Sequence, residues 1–425
     1  MTQLPTPEPG RKAAEAFVND QLSVLAVGDV VGSTRFAGGR RAAQQALNAF
    51  RVQGYAARRN DVAPVDRRGA SGLSPYIRHG LLTLREVWDH IDDGPSKDVA
   101  KFRDELLWQE YARHLYARVG HALARPLRYQ PLGAGRPELD RTMSCIDLGI
   151  AELESDGWMV NQTRMWMASH WTVREHGDWR AGEQWMFTHL LDGSRAANRL
   201  GWQWTIGAGT SKPYGFSRWQ VEKRAPGLCA GCTHRSSCPI ERWPDGHTPL
   251  QVADVHPRLT ADPDHERTAG PPTVQRLGTA APDTVWLTAE SLAVTDPALR
   301  AYPHLSSVFV FDRPLLERLQ LSAKRLVFLS ECLAEIGHEH PGGLTILLGD
   351  PTQLLAGRAT ATTYAPVPGW RRIARVVRPV ELWPYPWLRR PGPGSAASFS
   401  AWRASIRESS EAECMNHNAR STIQP

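Results

Sequence analysis

Four groups of residues in this 425-residue chain have types and spacings that could do chemistry. Cys229, Cys232 and Cys238 form C-x2-C-x5-C, and two thiolates three residues apart can share one metal ion or cluster. A fourth thiol is missing locally, and spacing alone does not separate zinc from iron–sulfur. In "WMVNQTRM", Asn161, Arg164 and Met165 stand at i, i+3 and i+4 and share one helix face. An Arg buried near Trp158, Trp166 and Trp171 needs an anion, and Asp192 in "LLDGSRAANRLGWQW" is the obvious partner. In "DELLWQEY", Glu105 and Trp108 at i and i+3 can point into one pocket. In "GASGLSPYIRHG", Ser74 before Pro75 predicts a helix with Ser74 as its N-cap, its free N–H groups and positive dipole end facing the loop. Ser71 and Ser74 then offer hydroxyls to a phosphate or pyrophosphate. Taken singly, each group also reads as ordinary capping, a solvated helix face or plain packing.

The elements that must position these groups follow from the pattern. From Phe36 to about Glu241, apolar residues recur at three and four, as in Ala42, Ala43, Ala46, Leu47 and Phe50, and again in Phe102, Leu106, Leu107, Tyr111 and Leu115. This predicts an all-α block. Residues 243–283 lose the periodicity to Pro, Gly, Thr, Asp and His, which reads as a linker or long loop. Beyond it, short apolar runs alternate with helical stretches, which predicts a parallel sheet with crossover helices. The expected division is an N-terminal extension 1–32, a helical domain 33–242, a linker 243–283, a small Rossmann-like α/β domain 284–390 and a loose tail 391–425.

Composition narrows the class. Hydrophobic residues make up 41% and charged residues 22%, which excludes a disordered tail and a membrane protein. Met1 to Arg11 lacks a signal-peptide core, so the expected location is the cytoplasm. A net charge of +6 permits a polyanion partner without requiring one. Six cysteines are too few for a disulfide staple set, and sixteen tryptophans mostly imply packing.

The motifs "SGLSPY", "FRDELLWQEYARHL", "GWMVNQTRM", "DWRAGEQW" and "LLDGSRAANRLGWQW" occur in an order and spacing that resemble the FAD-binding helical domain of the photolyase and cryptochrome family. The resemblance implies that Tyr55, Ser71, Leu73 and Ser74 hold the flavin phosphates and the loop around them. It places Asn161, Arg164 and Asp192 around the isoalloxazine and Asn198 opposite flavin N5. It implies that Trp108 stacks on a flipped lesion, that Glu105 bonds it and that Met165 contacts it. Trp202 and Trp179 match the inner two members of the family's tryptophan wire. The third has no match, with Tyr129 a candidate substitute. Lys212, Arg218, Lys223, Arg224, Arg58 and Arg59 are candidate phosphate contacts.

Other stretches resemble particular branches. Cys145 in "RTMSCIDLG" is similar to the first cysteine of the iron–sulfur bacterial cryptochromes and photolyases, so the resemblance implies a 4Fe-4S cluster on Cys145, Cys229, Cys232 and Cys238. Cys332 and Cys414 read as structural or incidental. Departures include Ser194, Gln109 and Ala70, each in place of a polar or charged residue usual in the family. The stretches "DTVWLTAESLAVTDPALRAYPHLSSVFVFD" and "LTILLGDPTQLL" resemble the family's antenna domain but follow the helical one, as in a circular permutation. Thr288, Ala289 and Glu290 replace the usual Arg and Asp there, which leaves an antenna pigment unassigned. The implied function is blue-light-driven splitting of pyrimidine dimers in UV-damaged DNA, a lyase reaction. The alternatives are a blue-light photoreceptor acting through a protein partner and, last, a flavin electron-transfer module.

Overall fold

The computed structural model describes residues 2–131, 133–243, 250–252 and 254–406. After β1 (Thr2–Leu4) and α1 (Arg11–Leu22), the chain builds a helical unit. Its helices are α2 (Arg40–Ala49), α3 (Tyr55–Arg58), α4 (Ser74–Arg78), α5 (Leu84–His90), α6 (Ser96–Val119), α7 (Ser144–Asp156), α8 (Asn161–Ser169), α9 (Trp179–His189), α10 (Ala197–Thr205) and α11 (Arg218–Arg224). A two-residue ribbon pairs β2 (Tyr129–Gln130) with β3 (Leu250–Gln251). The α/β unit follows with α12 (His265–Ala269), β4 (Gln275–Arg276), β5 (Thr284–Leu287), α13 (Pro297–Ala301), β6 (Ser306–Asp312), α14 (Arg313–Leu319) and α15 (Ala323–Glu339). It closes with β7 (Leu344–Gly349), α16 (Pro351–Leu354), β8 (Thr360–Thr363), α17 (Pro368–Val377) and β9 (Glu381–Trp383).

The seven-stranded sheet has the order β1-β7-β6-β5-β8-β9-β4. Its five inner strands are parallel, and the outer two are antiparallel to their neighbours. Numbered along the chain, the parallel strands run 3-2-1-4-5, the doubly wound arrangement with its switch between β5 and β8. Every residue of β5 and β8 is buried, which explains why they carry apolar and Thr runs instead of alternation.

Three expected boundaries are corrected. The stretch 1–32 is no extension. β1 pairs with β7 in register Thr2↔Leu348, and α1 buries Ala14, Phe17, Val18 and Leu22, with Arg11 bonded to Glu331 on α15 at 2.5 Å. A three-residue strand has no period to read, and its partner lies at the other end of the chain.

The stretch 243–283 is not a plain linker either. Asp262 is fully buried, accepts from Thr268 Oγ1 at 2.6 Å and lies 3.5 Å from Arg118 on α6, while β4 edges the sheet. Its elements are single turns, too short for periodicity.

The tail is the third. Residues 389–406 clamp α6: Trp402, 1% exposed, donates to His114 Nδ1 at 2.8 Å, and Tyr111 donates to the Ala396 carbonyl at 3.0 Å. Cys414, with residues 407–425, lies outside the described residues.

This clamp makes stability pH-dependent. Glu110 is fully buried and accepts from the Arg389 N–H at 2.9 Å; burial pushes its carboxyl up to about 7, against the opposing pull of Arg113. A carboxyl whose folded pKa is raised supports folding fully below its unfolded value and loses that support as pH rises through the folded one. Urea-unfolding stability is therefore expected to fall by about 2–3 kcal/mol between roughly pH 4.5 and 7, and Glu110→Gln to flatten that slope.

Candidate functional site

The loop after α9 carries the central anion. Arg164 Nη2 donates to Asp192 Oδ2 at 2.7 Å, joining α8 to this loop, and Arg164 Nε donates to the Met159 carbonyl at 3.0 Å. Arg325 of α15 and Arg78 of α4 both donate to the Gly193 carbonyl, at 2.7 and 3.0 Å, and a ring nitrogen of His79 lies 3.0 Å from the Leu191 carbonyl. Burial lowers the Arg325 guanidinium to about 9, with Arg78 adding to the effect and Glu290 and Asp192 opposing it. Three elements thus fix Asp192 while its Oδ1 stays buried with no hydrogen-bond partner among the described residues. A buried acceptor left empty is costly, so this atom suits a donor from a ligand.

Neighbouring groups complete a cradle. Asn161 is exposed, its amide 3.9 Å from Met165 Sδ, so the Asn161, Arg164 and Met165 face is assembled as the spacing predicts. Asn198 donates to both the carbonyl and Oε1 of Glu183, each at 3.0 Å. Two acceptors on one side fix the amide so that its oxygen points away from Glu183. Glu183 is held in turn by Arg195 at 2.6 Å. One turn on from Asn198, Gly201 is exposed, and a side chain there would meet nothing within 4 Å.

The phosphate loop differs from expectation. Ser74 is the first helical residue of α4, with Leu73 in the cap position and no side-chain cap bond. Gly72, at φ +69°, turns the chain so that helical geometry begins one residue early. The Ser74 hydroxyl instead accepts from Trp158 Nε1 at 2.9 Å, and Ser71 Oγ accepts from the Leu73 N–H at 3.3 Å. Both hydroxyls only accept, so each keeps its O–H to donate to an anion. Tyr55 is buried edge-on to Phe102 at 4.8 Å, and burial, with Glu105 nearby, pushes its phenol up.

The Glu105 and Trp108 pair does not open into a free pocket. Glu105 is paired with Lys101 at 3.0 Å and Arg59 at 3.4 Å, and Trp108 stacks on Phe399 with ring centroids 4.5 Å apart and planes 12° from parallel. Phe399 comes from the clamp and was invisible to spacing, since it lies almost 300 residues away in sequence. Trp202 and Trp179 are both buried, at 2% and 3% exposure. Tyr129 sits in the β2–β3 ribbon. Among the basic candidates, Arg218 pairs with Glu241 and Arg224 with Asp61, while the Lys223 ammonium lies over Trp219 at 4.9 Å.

The four cysteines expected to act together line one small cavity, with Met143, Ser144 and Arg218. All are free thiols. Burial raises Cys145 to about 12, and Cys229, Cys238 and Cys232 raise it further; burial also raises Cys229 to about 12, with Glu222 adding to it. Among the described residues, no set of three or more His, Cys, Asp and Glu side chains is gathered as a single metal ion requires.

Residues 141–224 match the family model described as the FAD binding domain of DNA photolyase. This chain is similar to the photolyases over part of its length. Over 182 residues it is 32% identical to the deoxyribodipyrimidine photo-lyase of Vibrio cholerae, the match covering 39% of this chain and 38% of that one. Over 234 residues it is 29% identical to that of Halobacterium salinarum, covering 49% of each. The chain therefore spans less than half the length of these curated relatives. A solved class III photolyase from Agrobacterium tumefaciens is 26% identical, with 45% of this chain and 43% of that one covered and a TM-score of 0.39. Among the described residues, no helix is long and apolar enough to cross a membrane.

Proposed function

We propose that this chain is a flavin-dependent, blue-light-driven lyase that splits UV-induced pyrimidine dimers in DNA. The observation that carries the reading is the Arg164–Asp192 pair, with the empty acceptor Asp192 Oδ1 beside it, inside the segment that matches the photolyase FAD-binding model. FAD fits the donor set. Asp192 and Arg164 would hold the isoalloxazine edge, Asn198 would offer its amide oxygen, and Tyr55, Ser71, Leu73 and Ser74 would form the phosphate loop. When bound, the flavin supplies blue-light absorption and single-electron transfer. The chain would orient it through the fixed Gly193 loop, exclude water with buried Trp202, and turn the Asn198 oxygen to accept from a proton-bearing nitrogen. Blue light should restore a dimer-containing oligonucleotide to its undamaged form in the presence of this protein; photoreduction without restoration would contradict the proposal.

The four-cysteine cavity belongs to the same reading. A zinc ion needs four thiolates about 3.8 Å apart, given Zn–S bonds of about 2.3 Å. The four cysteines share one cavity, and the proposal assigns them to a 4Fe-4S cluster with a single zinc ion as the competitor. The reading extends to the order of units: an α/β unit that follows the helical one, its sheet edged by β1 from the N-terminus, supports a permuted arrangement.

One observation favours the photoreceptor alternative, in which the base pocket is not used. Phe399 covers one face of Trp108, the ring that the repair reading assigns to stacking on a flipped base. Phe399→Ala removes an aromatic pair worth about 0.5–1.5 kcal/mol, so under the repair reading it should tighten binding of dimer-containing DNA by roughly three- to tenfold. Unchanged binding, measured by fluorescence anisotropy, would favour the photoreceptor.

A further inference from the structure

The sequence leaves the tryptophan wire without an outer member, and the interior supplies one on a different side. Trp171 lies in the π-type turn His170–Arg174 that ends α8, 5% exposed, and its indole Nε1 donates to the Asp178 carbonyl at 2.9 Å. Two glycines cradle it. A Cβ on Gly182 would lie 2.3 Å from Trp202 Cη2 and 3.0 Å from Trp171 Cε2, so those ring atoms are no farther apart than the sum of these distances. A Cβ on Gly177 would lie 2.7 Å from Trp171 Nε1. Trp171 then stacks on Trp185, with ring centroids 6.2 Å apart and planes 12° from parallel, and Trp185 is half-buried at the edge of the unit.

The geometry points to Trp171 and Trp185 as the middle and outer electron carriers behind Trp202, in place of a path through Trp179. This rests on the flavin reading. Trp179 is disfavoured because the Arg180 guanidinium lies 5.1 Å from its ring centre, and a cation there opposes loss of an electron. Trp171 is favoured because its N–H is bonded to a carbonyl oxygen, which stabilises the ring once it is electron-poor. In the sequence proposed, Trp202 gives one electron to the bound flavin, Trp171 refills Trp202, and Trp185 refills Trp171. Trp185, at the water boundary, then loses its indole proton to solvent and remains as a neutral radical. One electron reaches the flavin and one proton leaves. A small thiol as external reductant later returns an electron, and water returns the proton.

The test is pulsed blue-light absorption spectroscopy on the full-length flavin-loaded protein, beside ultraviolet circular dichroism in the dark. The Trp171–Trp185 stack should contribute an exciton couplet that Trp185→Phe subtracts whether or not flavin is present, leaving the contribution of the separate Trp286–Trp370 stack. Trp185→Phe should lower the yield of long-lived tryptophanyl radical roughly tenfold, Trp185→Tyr should restore a radical with a tyrosyl spectrum, and Trp179→Phe should change the yield less than about twofold. Loss of the radical in Trp179→Phe but not in Trp185→Phe overturns the route and leaves the flavin reading standing, as does a circular dichroism spectrum that Trp185→Phe leaves unchanged. A protein without flavin absorption overturns the flavin reading and the route with it.

Discussion

Asp192→Ala is expected to purify colourless and to unfold at markedly lower urea. The Asp192 side chain is 6% exposed and Arg164 23%, with 2.7 Å between Nη2 and Oδ2. Removing one partner leaves the other charge in a mostly apolar setting, which costs 3–5 kcal/mol for a fully buried pair and about 2–3 kcal/mol here, because Arg164 keeps some contact with water. The same substitution removes Oδ1, the buried acceptor that the proposal assigns to the flavin. Asp192→Asn keeps an oxygen at this position and loses the charge, so it should retain part of the flavin and most of the stability. The checks are flavin content after gel filtration and the urea midpoint. An Asp192→Ala protein as yellow and as stable as the parent would remove the pair from the account.

Much of this site was legible because it is local. Asn161, Arg164 and Met165 fall on one face by helical spacing alone, and Asp192 follows from the need of a buried Arg for an anion. What fixes Asp192 was not legible. Arg325 and Arg78 reach the Gly193 carbonyl from distant parts of the chain, and no periodicity encodes such a meeting. The Ser74 cap failed for a backbone reason, since Gly72 at φ +69° admits the helix one residue early. Phe399 on Trp108, Trp402 on His114 and β1 on β7 failed for a topological one: each joins short segments across most of the sequence. The parallel strands were readable as apolar runs, but their 3-2-1-4-5 order is a property of the crossovers.

The second large effect concerns the cysteines. If the proposed cluster is present, Cys145→Ala is expected to bring iron from about four atoms per chain to none and to abolish the broad visible absorption that a cluster would give. The flavin bands should persist, because Cys145 stands on α7 and none of the hydrogen bonds around Asp192 involves it. Cys332→Ala serves as the control. Cys332 is fully buried on α15, away from the four-cysteine cavity, so its loss should leave iron and colour intact. Elemental analysis with absorption spectroscopy reads both. One zinc per chain and no iron would contradict the proposed cluster and assign the four cysteines to a single ion instead.

The most direct measurement is of what the folded protein releases. The protein is purified in dim light, its visible spectrum recorded, and the supernatant after denaturation analysed for flavin. The account predicts a yellow protein that yields about one FAD per chain. A colourless protein that takes up no FAD when the dinucleotide is added would contradict it.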